Sequence, residues 1–193
     1  MEFKHKELSN GLSIIGEVNK SAQSAAVGFF VRTGARDETA QINGVSHFLE
    51  HMLFKGTQQL SAFEVNEAFD KTGAQYNAFT SEENTVYYAA VLPEYLDEVT
   101  KLWTRLLRPA LREQDFNIEK DVIKEEIAMY KDQPHFDVMD RGRSLHFAGH
   151  PCGLSVLGTP ENITDLTAEQ MREYFSRRYA PNNLVAACAG NFE

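Results

Sequence analysis

Cysteine is almost missing from these 193 residues, with Cys152 and Cys188 the only two. A disulfide framework is therefore excluded, and so is a zinc site built on paired cysteines. Basic residues are also scarce. There are 19 Lys and Arg against 28 Asp and Glu, a formal net charge of −9. That disfavours a nucleic-acid partner, which needs a basic footprint. It mildly suits a cationic peptide. No apolar run approaches the ~18 residues of a membrane span. The opening MEFKHKELSNG lacks a basic-then-apolar leader,. The sequence thus reads as soluble and cytoplasmic, without a membrane partner. Repeats, low-complexity tracts and linkers are absent too. The length suits one domain, residues 1–193, with a substantial core,.

What is present is concentrated in His47-Phe48-Leu49-Glu50-His51. Two histidines four apart share one helix face. Glu50 flanks that face: with His47 at zero, Glu50 falls near about 300° and His51 near about 40°. Val45, Leu49, Met52 and Leu53 fill the opposite arc, and Phe48 and Phe54 lie on the flanks. A helix apolar nearly all round is buried. Buried imidazoles and carboxylates need partners. Two imidazoles plus a carboxylate that need not be a ligand are what a catalytic zinc site requires. The bland alternative is a pair of core histidines bonded to backbone.

The surrounding pattern gives the fold class. Residues 3–8 and 12–18 read as strands joined at Asn10-Gly11,. A third strand covers 24–33. The polar stretch 34–43 reads as a loop into the histidine helix, 43–54. Ser61 and Glu64 form a capping box for a helix over 61–72, stopped by Gly73,. Strands follow at 74–80 and 85–92, then helices at 94–107, 113–131 and 134–147. Residues 148–162 read as loop. Thr167 and Gln170 cap a helix over 167–178, and 184–189 is a buried strand. Paired strands with helices grouped between them give α+β: a mixed, mainly antiparallel sheet with helices on one face.

Two histidines need a third ligand beside an open position for water. The helix over 113–131 supplies candidates. Glu119 and Glu126, seven apart, fall on one line of its wheel, with Phe116, Ile123, Ile127, Val122 and Ile118 as apolar neighbours,. Carboxylates on an apolar face need a cation or a shared proton. One of the two can be the ligand and the other can tune the site or orient the water; the wheel does not choose. His5, His135, His146 and His150 lack matching partners.

These residues resemble the N-terminal domain of an M16 (pitrilysin-type, inverzincin) zinc peptidase. The likeness is to the processing-peptidase branch, the mitochondrial β subunit and its bacterial homologues. Carrying it are Gly34 to Glu38, His47 to Thr57, Asn77 to Thr80, Glu119 to Met129, Leu157-Gly158-Thr159 and Ala189 to Phe192. The resemblance implies an M16 (LuxS-like) metallopeptidase fold and one Zn2+ held by His47, His51 and Glu126. It implies Glu50 as general base and Glu119 as an accessory catalytic carboxylate. Asn77, Ala78 and Phe79 would pair with a peptide substrate by strand addition. Members of the family carry a second, similar domain, for which this sequence has no room. The resemblance therefore implies a partner: a C-terminal M16 domain, a partner subunit or a homodimer. The expected function is zinc-dependent endopeptidase. The alternative is a non-catalytic scaffold subunit, or a half-enzyme idle without its other half.

Overall fold

The computed structural model describes residues 2–193. Six strands form one sheet: β1 (Glu2–Glu7), β2 (Ser13–Val18), β3 (Ala25–Val31), β4 (Gln75–Thr80), β5 (Thr85–Val91) and β6 (Leu184–Gly190). Their order is β1-β2-β6-β3-β5-β4. Every pairing is antiparallel except β2 with β6. Among the described residues seven α-helices accompany them, with short 3-10 turns between: α1 (Val45–Leu53), α2 (Ala62–Thr72), α3 (Leu96–Leu106), α4 (Glu113–Lys131), α5 (Pro134–His146), α6 (Pro160–Asp165) and α7 (Ala168–Arg178). The α+β class is as expected.

Alternation along β3 explains the layering. Ala25, Val27, Phe29 and Val31 are buried beneath the helices, while Ala26 and Phe30 point the other way and are exposed,. Of the first set, Val27, Phe29 and Val31 share one core with Leu49, Phe69, Trp103 and Tyr174 from the helices. On the second face Phe3, Ile15, Phe30 and Tyr88 stay open to solvent. Helices therefore cover one face only. Among the described residues no helix is long and apolar enough to cross a membrane.

The structure corrects three expectations. Residues 148–162 are not all loop: α6 starts within them at Pro160, capped by Thr159 accepting from the Asn162 amide. Six residues are too few to show a 3.6-residue period. The strand expected to be buried at 184–189 is central as β6, yet only Leu184 is fully buried because one sheet face is bare. Ile118 and Val122 do not share an inward face with the α4 carboxylates. Both are exposed, and the buried stripe is Phe116, Glu119, Ile123 and Ile127.

α1 lies at the centre of the helical layer. Val45, Phe48, Leu49, Met52 and Leu53 are essentially inaccessible. Each such side chain contributes about 1.5–3 kcal/mol on burial. Phe48 stacks on Phe116 of α4, with centroids 4.6 Å apart and planes 8° apart. That pair locks the helix carrying the histidines to the helix carrying Glu119 and Glu126.

Candidate metal centre

The N-terminal end of α1 lacks a side-chain cap of its own. Gly44 stands at the N-cap with φ 94°, and a Cβ there would lie 2.7 Å from the Leu157 carbonyl oxygen. The cap comes from Glu38 instead. Its Oε2 accepts from the Gly44 amide at 2.7 Å and from Asn43 Nδ2 at 2.9 Å, and its Oε1 accepts from the Ser46 amide at 2.7 Å. An anion here also suits the positive end of the helix. Burial pushes the Glu38 carboxyl up to about 7, and the Ser46 and Gly44 amides pull against it. The Ser46 hydroxyl meets Tyr174 Oη at 2.7 Å, which meets Thr33 Oγ1 at 2.6 Å. This network fixes the residue next to His47.

His47 and His51 then face the same way, their ring centroids 4.7 Å apart. α4 brings Glu126 Oε2 to 3.6 Å from His47 Nε2 and 3.4 Å from His51 Nε2. Two ligands about 2.0–2.1 Å from a tetrahedral ion are separated by roughly 3.4 Å. The observed spacings match that separation. They are longer than the ~2.7–2.9 Å of a charged hydrogen bond. His47, His51 and Glu126 are the one group among the described residues whose ligand atoms lie within 4.8 Å of one another in a metal-type set.

The two histidines differ. His47 is 7% exposed, and its Nδ1 has no hydrogen-bond partner among the described residues. Burial, with help from His51, pulls its pKa down to about 4. His51 is also pulled down by burial, but hydrogen bonds and charges from Glu119 and Glu126 outweigh this and raise it to about 9. Its Nδ1 lies 3.0 Å from Glu119 Oε1. That bond assigns the proton to Nδ1 in the neutral ring and turns the Nε2 lone pair towards Glu126 and His47.

Glu119 is 3% exposed. Burial would raise its pKa, but His51 and Lys55 lower it below the usual carboxylate range. Lys55 Nζ lies 2.5 Å from Oε2. For Glu126 the burial effect is likewise outweighed, by the His51 hydrogen bond and the two imidazoles, so its pKa is lowered. The wheel puts Glu119 and Glu126 on one line; the structure separates them. Glu126 reaches both histidine Nε2 atoms, whereas Glu119 lies behind His51.

Glu50 lies outside that triplet. Thr80 Oγ1 donates to its Oε2 at 2.5 Å. Burial raises its pKa, partly offset by Thr80 and His51. With both imidazoles neutral, as metal ligands are, Glu50, Glu119, Glu126 and Lys55 leave two net negative charges when all four are ionised. A dication would neutralise that excess, so the donor set fits zinc.

β4, one of the two edge strands, runs along the same opening. The Ser81 amide donates to the Asn84 carbonyl at 2.8 Å at the end of the β4–β5 hairpin. Alternation along an antiparallel ladder then turns the backbone groups of Thr80, Ala78 and Tyr76 away from β5. Of Asn77, Ala78 and Phe79, only Ala78 presents its backbone to a free edge. Its amide is met by its neighbour's Asn77 Oδ1 at 2.9 Å. Asn77 and Phe79 point onto the uncovered sheet face. A groove of about 620 Å³ joins His47, Glu50, His51, Ala78 and Glu126 to Asp140 and Arg143 from α5. A hollow of about 610 Å³ on the bare sheet face carries no such group.

Sequence reasoning misses Glu38, Lys55 and Thr80. Glu38 lies in a stretch whose residue pattern reads as polar loop, and its partners, two backbone amides and the Asn43 side chain, leave no periodic signal. Thr80 lies on another element, in contact only through the tertiary fold. Lys55 reads as part of a helix stop.

Residues 13–160 match the family described as insulinase (peptidase family M16). The chain is 41% identical over 190 residues to the zinc protease YmxG of Bacillus subtilis, covering 98% of this chain and 46% of that one. It is 35% identical over 190 residues to a probable mitochondrial-processing peptidase subunit beta of Arabidopsis thaliana, covering 98% and 36%. Its fold superimposes on a protease from Helicobacter pylori with a TM-score of 0.92 at 25% identity, covering all of this chain and 47% of the other. The chain spans less than half the length of these relatives.

Proposed function

Because the chain belongs to the M16 peptidase family, we propose that it is the zinc-binding half of a metalloendopeptidase. It would hydrolyse peptide bonds in extended polypeptide segments. The observation that carries the reading is the convergence of His47, His51 and Glu126 ligand atoms within 4.8 Å, beside an uncoordinated Glu50. These three residues would hold one Zn2+. A zinc ion so held supplies Lewis acidity, lowering the pKa of a bound water from 15.7 towards ~7 and polarising a carbonyl.

The protein groups do the rest. Glu50 is engaged through Oε2 by Thr80, which leaves Oε1 to take a proton from the attacking water. The same oxygen returns it to the leaving amine. A pKa raised by burial suits this double role,. Glu119 keeps the His51 ring turned by accepting from Nδ1,. A peptide adding to β4 would bond the outward backbone of Ala78, with Asn77 and Phe79 beside it, and lie across the groove,. Asn77 would have to release the Ala78 amide first.

The half-length match to its relatives supports a second M16 domain, a partner subunit or a second copy as the other wall of the groove. Zinc content and peptide turnover of E50Q and E126A test the reading. E50Q is expected to keep zinc and lose turnover, and E126A to lose both. Full zinc in E126A would move the ligand role to Glu119.

A further inference from the structure

The C-terminal end of α1 is tied down more firmly than a helix end needs. The Lys55 amide donates to the Met52 carbonyl at 3.2 Å, and its carbonyl accepts from Arg112 Nη1 at 3.2 Å. Arg112 Nη2 takes the Thr57 carbonyl as well. Gly56 turns the chain with φ 100°, and its carbonyl accepts from the Ala110 amide at 3.1 Å. The turn carrying Lys55 is thus held to α1 through its amide and bolted, from its own carbonyl onward, to the segment that leads into α4. Its side chain is two-thirds covered and ends 2.5 Å from Glu119 Oε2. Among the described residues the other charged partner of Glu119 is His51, 3.0 Å from its other oxygen. A carboxylate with one oxygen on each group has little freedom to rotate.

We propose that Lys55 is a positioning residue of the metal centre. It clamps Glu119, and through Glu119 the ring of His51, in the orientation that presents His51 Nε2 to the metal. The inference rests on the proposed metal site and adds a cation to it. A carboxylate behind a ligating histidine fixes the ring; here the carboxylate is itself fixed by an ammonium that the α1 turn delivers.

The test is zinc affinity of the intact protein, measured by chelator competition, with the metal-free melting temperature recorded beside it. K55M is expected to weaken zinc binding by about 10–100-fold, the usual range for partners of ligating residues. K55R should recover most of the loss. In an E119Q background K55M should change affinity by less than about twofold, because the group that Lys55 clamps is gone. K55Q carries the expectation of K55M should the latter not fold. An affinity for K55M or K55Q within twofold of the parent's overturns the proposal, as does an undiminished effect in E119Q. A parent without zinc affinity overturns the metal reading itself. A zinc-binding parent with an indifferent Lys55 overturns this inference alone.

Discussion

The two ends of α1 are fastened by opposite charges. At the N-terminal end a buried carboxylate, Glu38, gathers the Gly44 and Ser46 amides. At the C-terminal end the cations Arg112 and Lys55 gather backbone carbonyls and the Glu119 carboxylate. Both choices follow the helix dipole. The histidines inherit the difference. His47, next to the capped end, is dry and holds its proton weakly, at about 4. His51, a turn later between two carboxylates, holds it up to about 9. A helical wheel treats the pair as equal, whereas the fold makes one a passive donor and the other the centre of an ion-pair chain.

The largest effect should come from removing the residue that bridges both rings. E126A is expected to lose stoichiometric zinc, read by metal analysis after dialysis, and E119Q to weaken zinc while retaining some. Equal loss in both would erase the distinction between ligand and supporting carboxylate. Next, E50Q should lower turnover of a peptide by about 10²–10⁴-fold with zinc unchanged. Metal lost in step with activity would remove Glu50 from the role of base.

At the N-terminal end, E38Q leaves one amide donor facing an NH2 group. Thermal or denaturant unfolding of the metal-free chain should show a loss of about 1–3 kcal/mol. Glu38 also has a pH signature. Its folded pKa is raised, so its stabilising contribution is complete below about 4.5 and lost as pH rises through about 7,. E38Q should flatten that fall, and an unaltered pH profile would exclude Glu38 as its source. A78P should leave zinc binding intact and raise KM, since proline removes an outward amide that β4 does not need for its ladder. An unchanged KM would exclude strand addition at Ala78.

The smallest signal separates the histidines directly. At pH 6 zinc should displace about one proton per site, from His51, because His47 is already neutral there,. Calorimetry in buffers of different ionisation enthalpy reads the number. Two protons would mean the rings are alike, and none would mean His51 is not charged.

Much of the fold and site is legible in the chain. The period of residues 45–54 marks the helix, its buried back and its His/Glu face, because hydrophobic contrast there is strong. The Ser61–Glu64 and Thr167–Gln170 capping boxes appear where expected. The strands emerge from alternation and turn residues. α6 does not, being short, and neither does the exposure of Ile118 and Val122, since a wheel cannot tell which of two apolar flanks meets the core. In the site, the His pair and both carboxylates are visible as a pattern. What divides Glu119 from Glu126 is where the packing of α4 on α1 sets each: Glu126 at both histidine Nε2 atoms, Glu119 at His51 Nδ1 alone. Lys55 and Thr80 act through single long-range contacts, and Glu38 through a local set of amide donors; neither leaves a periodic trace.

Everything at this centre turns on which atoms share one ion. An anomalous difference map at the zinc absorption edge, from crystals grown with zinc, tests that most directly. One strong peak is predicted about 2.0–2.2 Å from His47 Nε2, His51 Nε2 and Glu126 Oε2, with Glu50 and Glu119 unbonded to it. A peak bonded to Glu119 in place of Glu126, or no peak between the two histidines, would contradict it.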